Sequence, residues 1–172
     1  MPDLCVFDPA QHTSARQQTE GWIDFRFAPD AVFARVADHA SMCDWVPMVH
    51  TVTVTHPRPV GMGESTVGTA RTIKFKGGLA ITETVVYWNP PYCYAYNAEG
   101  KHVPMKNYIG LFTVKATGAQ SGRLILREYF ELGRAEQAIL PHGVVYAFRH
   151  ALGILAKSIG GTHYAMTEVS PV

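Results

Sequence analysis

Lys76-Gly77-Gly78 constrains this chain more than any other stretch, because adjacent glycines between two alternating runs mark a tight hairpin turn. With Gly77 at its midpoint, Gly68 to Phe75 runs back along Leu79 to Trp88. Phe75 then faces Leu79, Ile73 faces Ile81, Arg71 faces Glu83 and Thr69 faces Val85. Side chains alternate along a strand, so these eight share one face. Lys74, Ala80, Thr72, Thr82, Ala70 and Thr84 take the other, which is small or polar and reads as the solvent side. The inner face is apolar except for an arginine opposite a glutamate. A cross-strand pair of opposite charges is worth only ~0.2 to 1 kcal/mol, little return for two charges placed inside. Water or a polar partner is expected beside them.

A second hairpin repeats the pattern. Asn107 to Thr117 and Arg123 to Leu132 flank Gly118-Ala119-Gln120-Ser121-Gly122. Centring on Gln120 pairs Phe112 with Glu128, Gly110 with Phe130 and Tyr108 with Leu132. The opposite parity carries Lys115, Thr113, Arg127 and Arg123, with Leu111, Ile125 and Tyr129 among them. Glu128 therefore falls on the apolar inner face, where a carboxylate needs a partner, water or a raised pKa.

At 172 residues the chain suits one domain able to bury a core without metals or crosslinks. A formal net charge of +1 with no basic run argues against nucleic acid as a partner. Cys5, Cys43 and Cys93 are odd in number and lack Cys-x-x-Cys spacing, the pattern of free thiols in a reducing compartment. Met1-Pro2-Asp3-Leu4 has no signal-peptide character, and Gly143 to Ala156 is too short and too polar to span a bilayer. A cytoplasmic location is the expectation.

Residues 1–19 read as a polar extension, 20–162 as one domain and 163–172 as a tail. Trp22 to Ala28 alternates as a strand, with Ile23, Phe25 and Phe27 inward. Pro29-Asp30 opens a helix with Asp30 as a candidate cap, and a short helical piece follows Ser41 and ends before Pro47. Val49 to Thr55 is a strand broken by Pro57, Pro59, Gly61 and Gly63. Asn89-Pro90-Pro91 turns the chain into Tyr92 to Asn97, and a long helix runs from about Pro141 to Gly160-Gly161. Its Val145, Phe148, Leu152, Leu155 and Ile159 make one apolar stripe.

This order, with Ala28-Pro29-Asp30-Ala31-Val32-Phe33 and Asp38, Trp45-Val46-Pro47 and Val49, Gly61-Met62-Gly63, Arg71, Glu83-Thr84-Val85, Asn89-Pro90-Pro91 and the C-terminal helix, resembles the START-like or SRPBCC superfamily, in particular its bacterial polyketide cyclase/dehydrase-like proteins. The likeness covers roughly residues 20–160. It implies an α+β helix-grip fold: a seven-stranded curved antiparallel sheet around the long C-terminal helix, with two short helices after the first strand. Between sheet and helix it implies a cavity for an apolar, lipid-like or aromatic small molecule.

In such a fold Arg71, Glu83, Tyr87, Tyr94, Tyr96, Tyr108, Phe112, Glu128, Phe130, Phe148 and Leu152 are the candidate ligand-binding residues. Arg71 with Glu83 is either an ion pair at the sheet's rim or a ligand contact. Glu128 is either a carboxylate satisfied by water or a hydroxyl, or a general acid or base, with Arg71 or Tyr108 polarising a carbonyl. Trp45 reads as an anchor for the short helices. The eight histidines lack metal-ligand spacing, and no phosphate loop or nucleophile elbow occurs, so neither metal nor cofactor is expected. The readings carried forward are a carrier or binding protein, a cyclase or dehydratase using Glu128 and Arg71, and an interaction module of the chaperone-activator kind.

Overall fold

A computed structural model describes residues 4–58, 65–100, 105–133, 136 and 140–169. The order is β1 (Gln17–Phe25), α1 (Pro29–Ala37), a 3-10 helix (His39–Asp44), β2 (Val49–Thr55), β3 (Ala70–Phe75), β4 (Ala80–Asn89), β5 (Cys93–Glu99), β6 (Lys106–Gly118), β7 (Ser121–Glu131), α2 (Leu140–Ser158) and β8 (Gly161–Glu168). The described strands form one antiparallel sheet in the order β2-β3-β4-β5-β6-β7-β1-β8. Ile23, Phe112, Leu124 and Leu126 on its inner face and Leu152, Leu155 and Ile159 of α2 belong to one buried core. This is a helix-grip fold. Pro59 and Gly61-Met62-Gly63 lie outside the described residues.

The first hairpin has the expected register, Arg71 opposite Glu83 and Ile73 opposite Ile81, around Gly77 and Gly78 at φ of 107° and 90°. A side chain at either position would be strained. In the second hairpin the expected pairing is displaced by two residues. Gly110 faces Glu128 and Phe112 faces Leu126, because the turn is the tighter Gly118-to-Ser121 with a register break after Ala116. A shift of two preserves parity, so Glu128 still faces inward.

Other expectations need correction. The first strand starts at Gln17 and ends at Phe25, leaving Phe27 exposed. Asp30 does not cap α1; Pro29 occupies the first turn, and Asp30 Oδ1 accepts from the neighbouring Ala31 N–H. The short helical piece starts at His39, two residues before Ser41. The described residues form eight strands rather than seven, since Gly161–Glu168, most of it in the expected tail, makes β8 along β1. Of the eight only Met166 is buried, so β8 carries little of the alternation that marks a half-buried strand.

The N-terminal arm is fastened to the sheet. Cys5 and Cys93 form a disulfide, which overturns the expectation of three free thiols and leaves Cys43 as the free cysteine. Phe7 packs on Tyr87 and stacks on His12, Asn89 Nδ2 donates to Leu4 O, and Thr13 Oγ1 donates to Asn107 O at 2.6 Å. Beneath the arm lies a second apolar cluster of Cys93, Ala95, Ile109 and Leu111. Leu111 and Tyr129, on the supposed solvent face of the second hairpin, are thereby explained. No helix among the described residues is long and apolar enough to cross a membrane.

Candidate functional site

Between the sheet and α2 lies a cavity of about 370 Å³. Val144, Ala147, Phe148 and Ala151 recur at helical spacing and present one strip of α2 to it. Met42 and Trp45 close the end under the 3-10 helix, and Ile73, Phe75 and Ile81 supply the β3–β4 side. Exposed Met48, Leu79 and Gly143 belong to the same lining and mark its mouth. The polar side chains of the wall are Glu83, Tyr96, Tyr108 and Glu128, beside the indole N–H of Trp45. That N–H is buried and has no hydrogen-bond partner among the described residues.

Glu128 is only 1% exposed. Thr19 Oγ1 donates to its Oε2 at 2.6 Å, and Tyr108 Oη donates to its Oε1 at 2.7 Å. Its cross-strand neighbour is Gly110, where a Cβ would collide with the Tyr96 ring, so the glycine admits that ring beside the carboxylate. Burial pushes Glu128 up to about 7 against the pull of the two hydroxyl hydrogen bonds, with the Glu83 charge adding to the rise. Tyr96 and Tyr108 are pushed well above 10 by burial, then chiefly by the carboxylates nearest each, and remain protonated donors.

This raised pKa fixes the sign of a stability effect. Between about pH 4.5 and 7 the folded protein holds a Glu128 proton that the unfolded chain has lost. The stabilisation is complete below the unfolded value and is lost as pH rises through 7. The loss amounts to about 3 kcal/mol for a shift of this size. His39, lowered to about 2 by burial and by Arg71, acts oppositely and costs stability as pH falls below its ordinary value. Urea unfolding across pH 5 to 8 should therefore show Glu128→Gln gaining on the parent as pH rises, with the His39 contribution cancelling. Parallel profiles for the two proteins would count against a buried, proton-binding Glu128.

Arg71 is 3% exposed and sits behind this wall. Its Nε forms an ion pair with Glu83 Oε2, its Nη1 donates to His39 Nδ1 at 2.9 Å, and its guanidinium lies 4.5 Å from the Tyr96 ring centre. His39 Nδ1 is thus the acceptor, so its proton is on Nε2 and donates to Ser65 Oγ at 3.2 Å. Burial alone would lower Arg71; Glu83, Tyr94 and Tyr96 outweigh it and keep the guanidinium charged. Burial pushes Glu83 upward and Arg71 pulls it back.

A sequence profile described as polyketide cyclase/dehydrase and lipid transport matches residues 16–160. The chain belongs to this family. Among solved structures, XoxI of Bacillus cereus has a TM-score of 0.63 at 20% identity, covering 84% of this chain and 96% of its own. A Thermobifida fusca protein solved by NMR gives 0.67 at 18%, over 83% and 93%. The ZhuI aromatase/cyclase of a Streptomyces species gives 0.61 at 15%, over 84% and 96%. At such identities the likeness establishes a shared fold. No curated protein matches the chain in sequence.

In this polyketide cyclase/dehydrase-type fold, Glu83, Tyr96, Tyr108, Phe112, Glu128 and Phe148 meet at the cavity. Tyr94, Phe130 and Leu152 are buried in the surrounding packing, with Tyr94 Oη donating to Val36 O at 2.8 Å. Arg71 reaches the cavity only through Glu83 and Tyr96. Tyr87 is on the other face of the sheet, against Phe7. A register break between Val85 and Tyr87 inserts Val86 and reverses parity, so Trp88 turns inward instead. Trp45, read as an anchor, also lines the cavity. Thr19 and His39, the partners of Glu128 and Arg71, come from other elements, and no sequence spacing links them.

Proposed function

We propose that this protein binds an apolar small molecule, lipid-like or aromatic, in the cavity between the sheet and α2, as a carrier or binding protein. The observation that carries the reading is an apolar chamber of about 370 Å³, within the usual range for small-molecule sites, with its few polar groups gathered at Glu128, Tyr108 and Glu83. Ala147→Phe tests it by filling the chamber from α2. Titration of an environment-sensitive naphthyl dye should show about a tenfold or greater loss of affinity in the variant, with an unchanged circular dichroism spectrum. Equal affinity in the folded variant would place the dye elsewhere and remove the support.

One observation favours a second reading, a cyclase or dehydratase. Glu128 lines the cavity with a pKa near 7, where a carboxyl gives and takes protons with equal ease. Tyr108 donates its one proton to Glu128 Oε1. It becomes the donor to a developing oxyanion when Glu128 is protonated and gives its own proton to the phenol oxygen, while Arg71 acts by holding Glu83 and Tyr96 in place. Glu128→Gln should then lower kcat on a polyketone substrate by about a hundredfold or more, with KM changed far less. Unchanged turnover would remove Glu128 from the chemistry.

A further inference from the structure

We propose that the preferred occupant is a hydrophobic amine, an apolar ring-bearing body with one protonated nitrogen seated against Glu128. This rests on the binding reading and narrows it to a ligand class. The ionisable side chains among the described lining residues are Glu83, Glu128, Tyr96 and Tyr108, and all four are acids. The strip of α2 supplies glycine, valine, alanine and phenylalanine, the 3-10 helix and the segment after it supply Met42, Trp45 and Val46, and β2 and β3 supply Val49, Ile73 and Phe75. No lysine, arginine or histidine is among them.

The two carboxyl groups differ in what balances them. Arg71 neutralises Glu83 from behind the wall. Among the described residues Glu128 accepts only from the hydroxyls of Thr19 and Tyr108, neither of which carries charge. Those bonds occupy one position on each oxygen, and a carboxylate offers about four. Two acceptor positions therefore remain for a donor arriving from the cavity. A ligand ammonium would fill them and supply the countercharge that the fold withholds, a charge-assisted contact about twice as strong as a neutral one. Aromatic rings of Tyr108 and Phe112 line the same wall and favour a nearby cation through their faces. A carboxylic acid of the same shape would bring a like charge to Glu128 and meet no cation on the described wall.

The test is calorimetric titration of the intact protein at about pH 8, where Glu128 is ionised, with three probes of one skeleton: naphthylethylamine, naphthylethanol and naphthylacetate. The amine should bind about tenfold more tightly than the alcohol, with the acid weakest. Glu128→Gln should bring the amine-to-alcohol ratio close to one. Equal binding of amine and alcohol, preference for the acid, or an undiminished ratio in the variant would overturn the amine assignment and leave the cavity reading standing. Failure of all three probes to bind would overturn the cavity reading, and this assignment with it.

Discussion

Arg71→Leu should cost about 3 to 5 kcal/mol of folding stability, the usual result of removing one partner from a buried ion pair. For a chain of this length that is a fall in melting temperature of about 6 to 20 °C. Glu83, 7% exposed, would keep its carboxyl in the cavity wall with no cation to answer it, and His39 Nδ1 would lose its donor. The double variant Arg71→Leu/Glu83→Leu should recover most of the loss, because a buried pair exchanged for apolar side chains is often neutral or better. A double-mutant cycle by urea unfolding reads both numbers. A single variant within about 1 kcal/mol of the parent would show that the guanidinium is not holding Glu83, since that is the range of a solvent-exposed pair.

Breaking the Cys5–Cys93 bond is expected to have the second largest effect. It closes a loop 88 residues apart in sequence, for which the chain-entropy relation gives about 4.5 kcal/mol as an upper figure. Cys5→Ser, or reduction of the parent, should lower the urea midpoint accordingly. Release of the arm should also uncover Phe7, Tyr87, Ile109 and Leu111 and raise the binding of a hydrophobic dye. Thiol titration of the unreduced, unfolded chain should count one reactive cysteine, Cys43. Three reactive thiols, or a midpoint indifferent to reductant, would mean that the arm is not covalently held.

Much of the fold was legible because it rests on local periodicity. Gly77-Gly78 and the alternation around it specify the β3–β4 register, and with it Arg71 opposite Glu83, before any long-range contact is considered. The spacing of Leu152, Leu155 and Ile159 specifies the buried face of α2. Parity alone also brought Glu128 to the inside, and it did so despite a register wrong by two residues. Tyr87 went the other way, since the Val86 bulge reverses parity and no residue in Val85-Val86-Tyr87 announces it. β8 escaped notice because a mostly solvent-facing edge strand needs little alternation.

The sequence by itself determined which side chains share a face, since alternation and helical spacing are properties of neighbouring residues. With the family resemblance it offered eleven candidates, of which Glu83, Tyr96, Tyr108, Phe112, Glu128 and Phe148 line the cavity while Tyr87 lies on the other face of the sheet. Only the tertiary structure decided what those groups meet. Thr19 reaches Glu128 across 109 residues, and His39 reaches Arg71 across 32. Cys5 reaches Cys93 from a segment with no period of its own. Such partners are chosen by packing between distant elements, and that packing also decides which carboxyl has a countercharge and which faces the cavity without one.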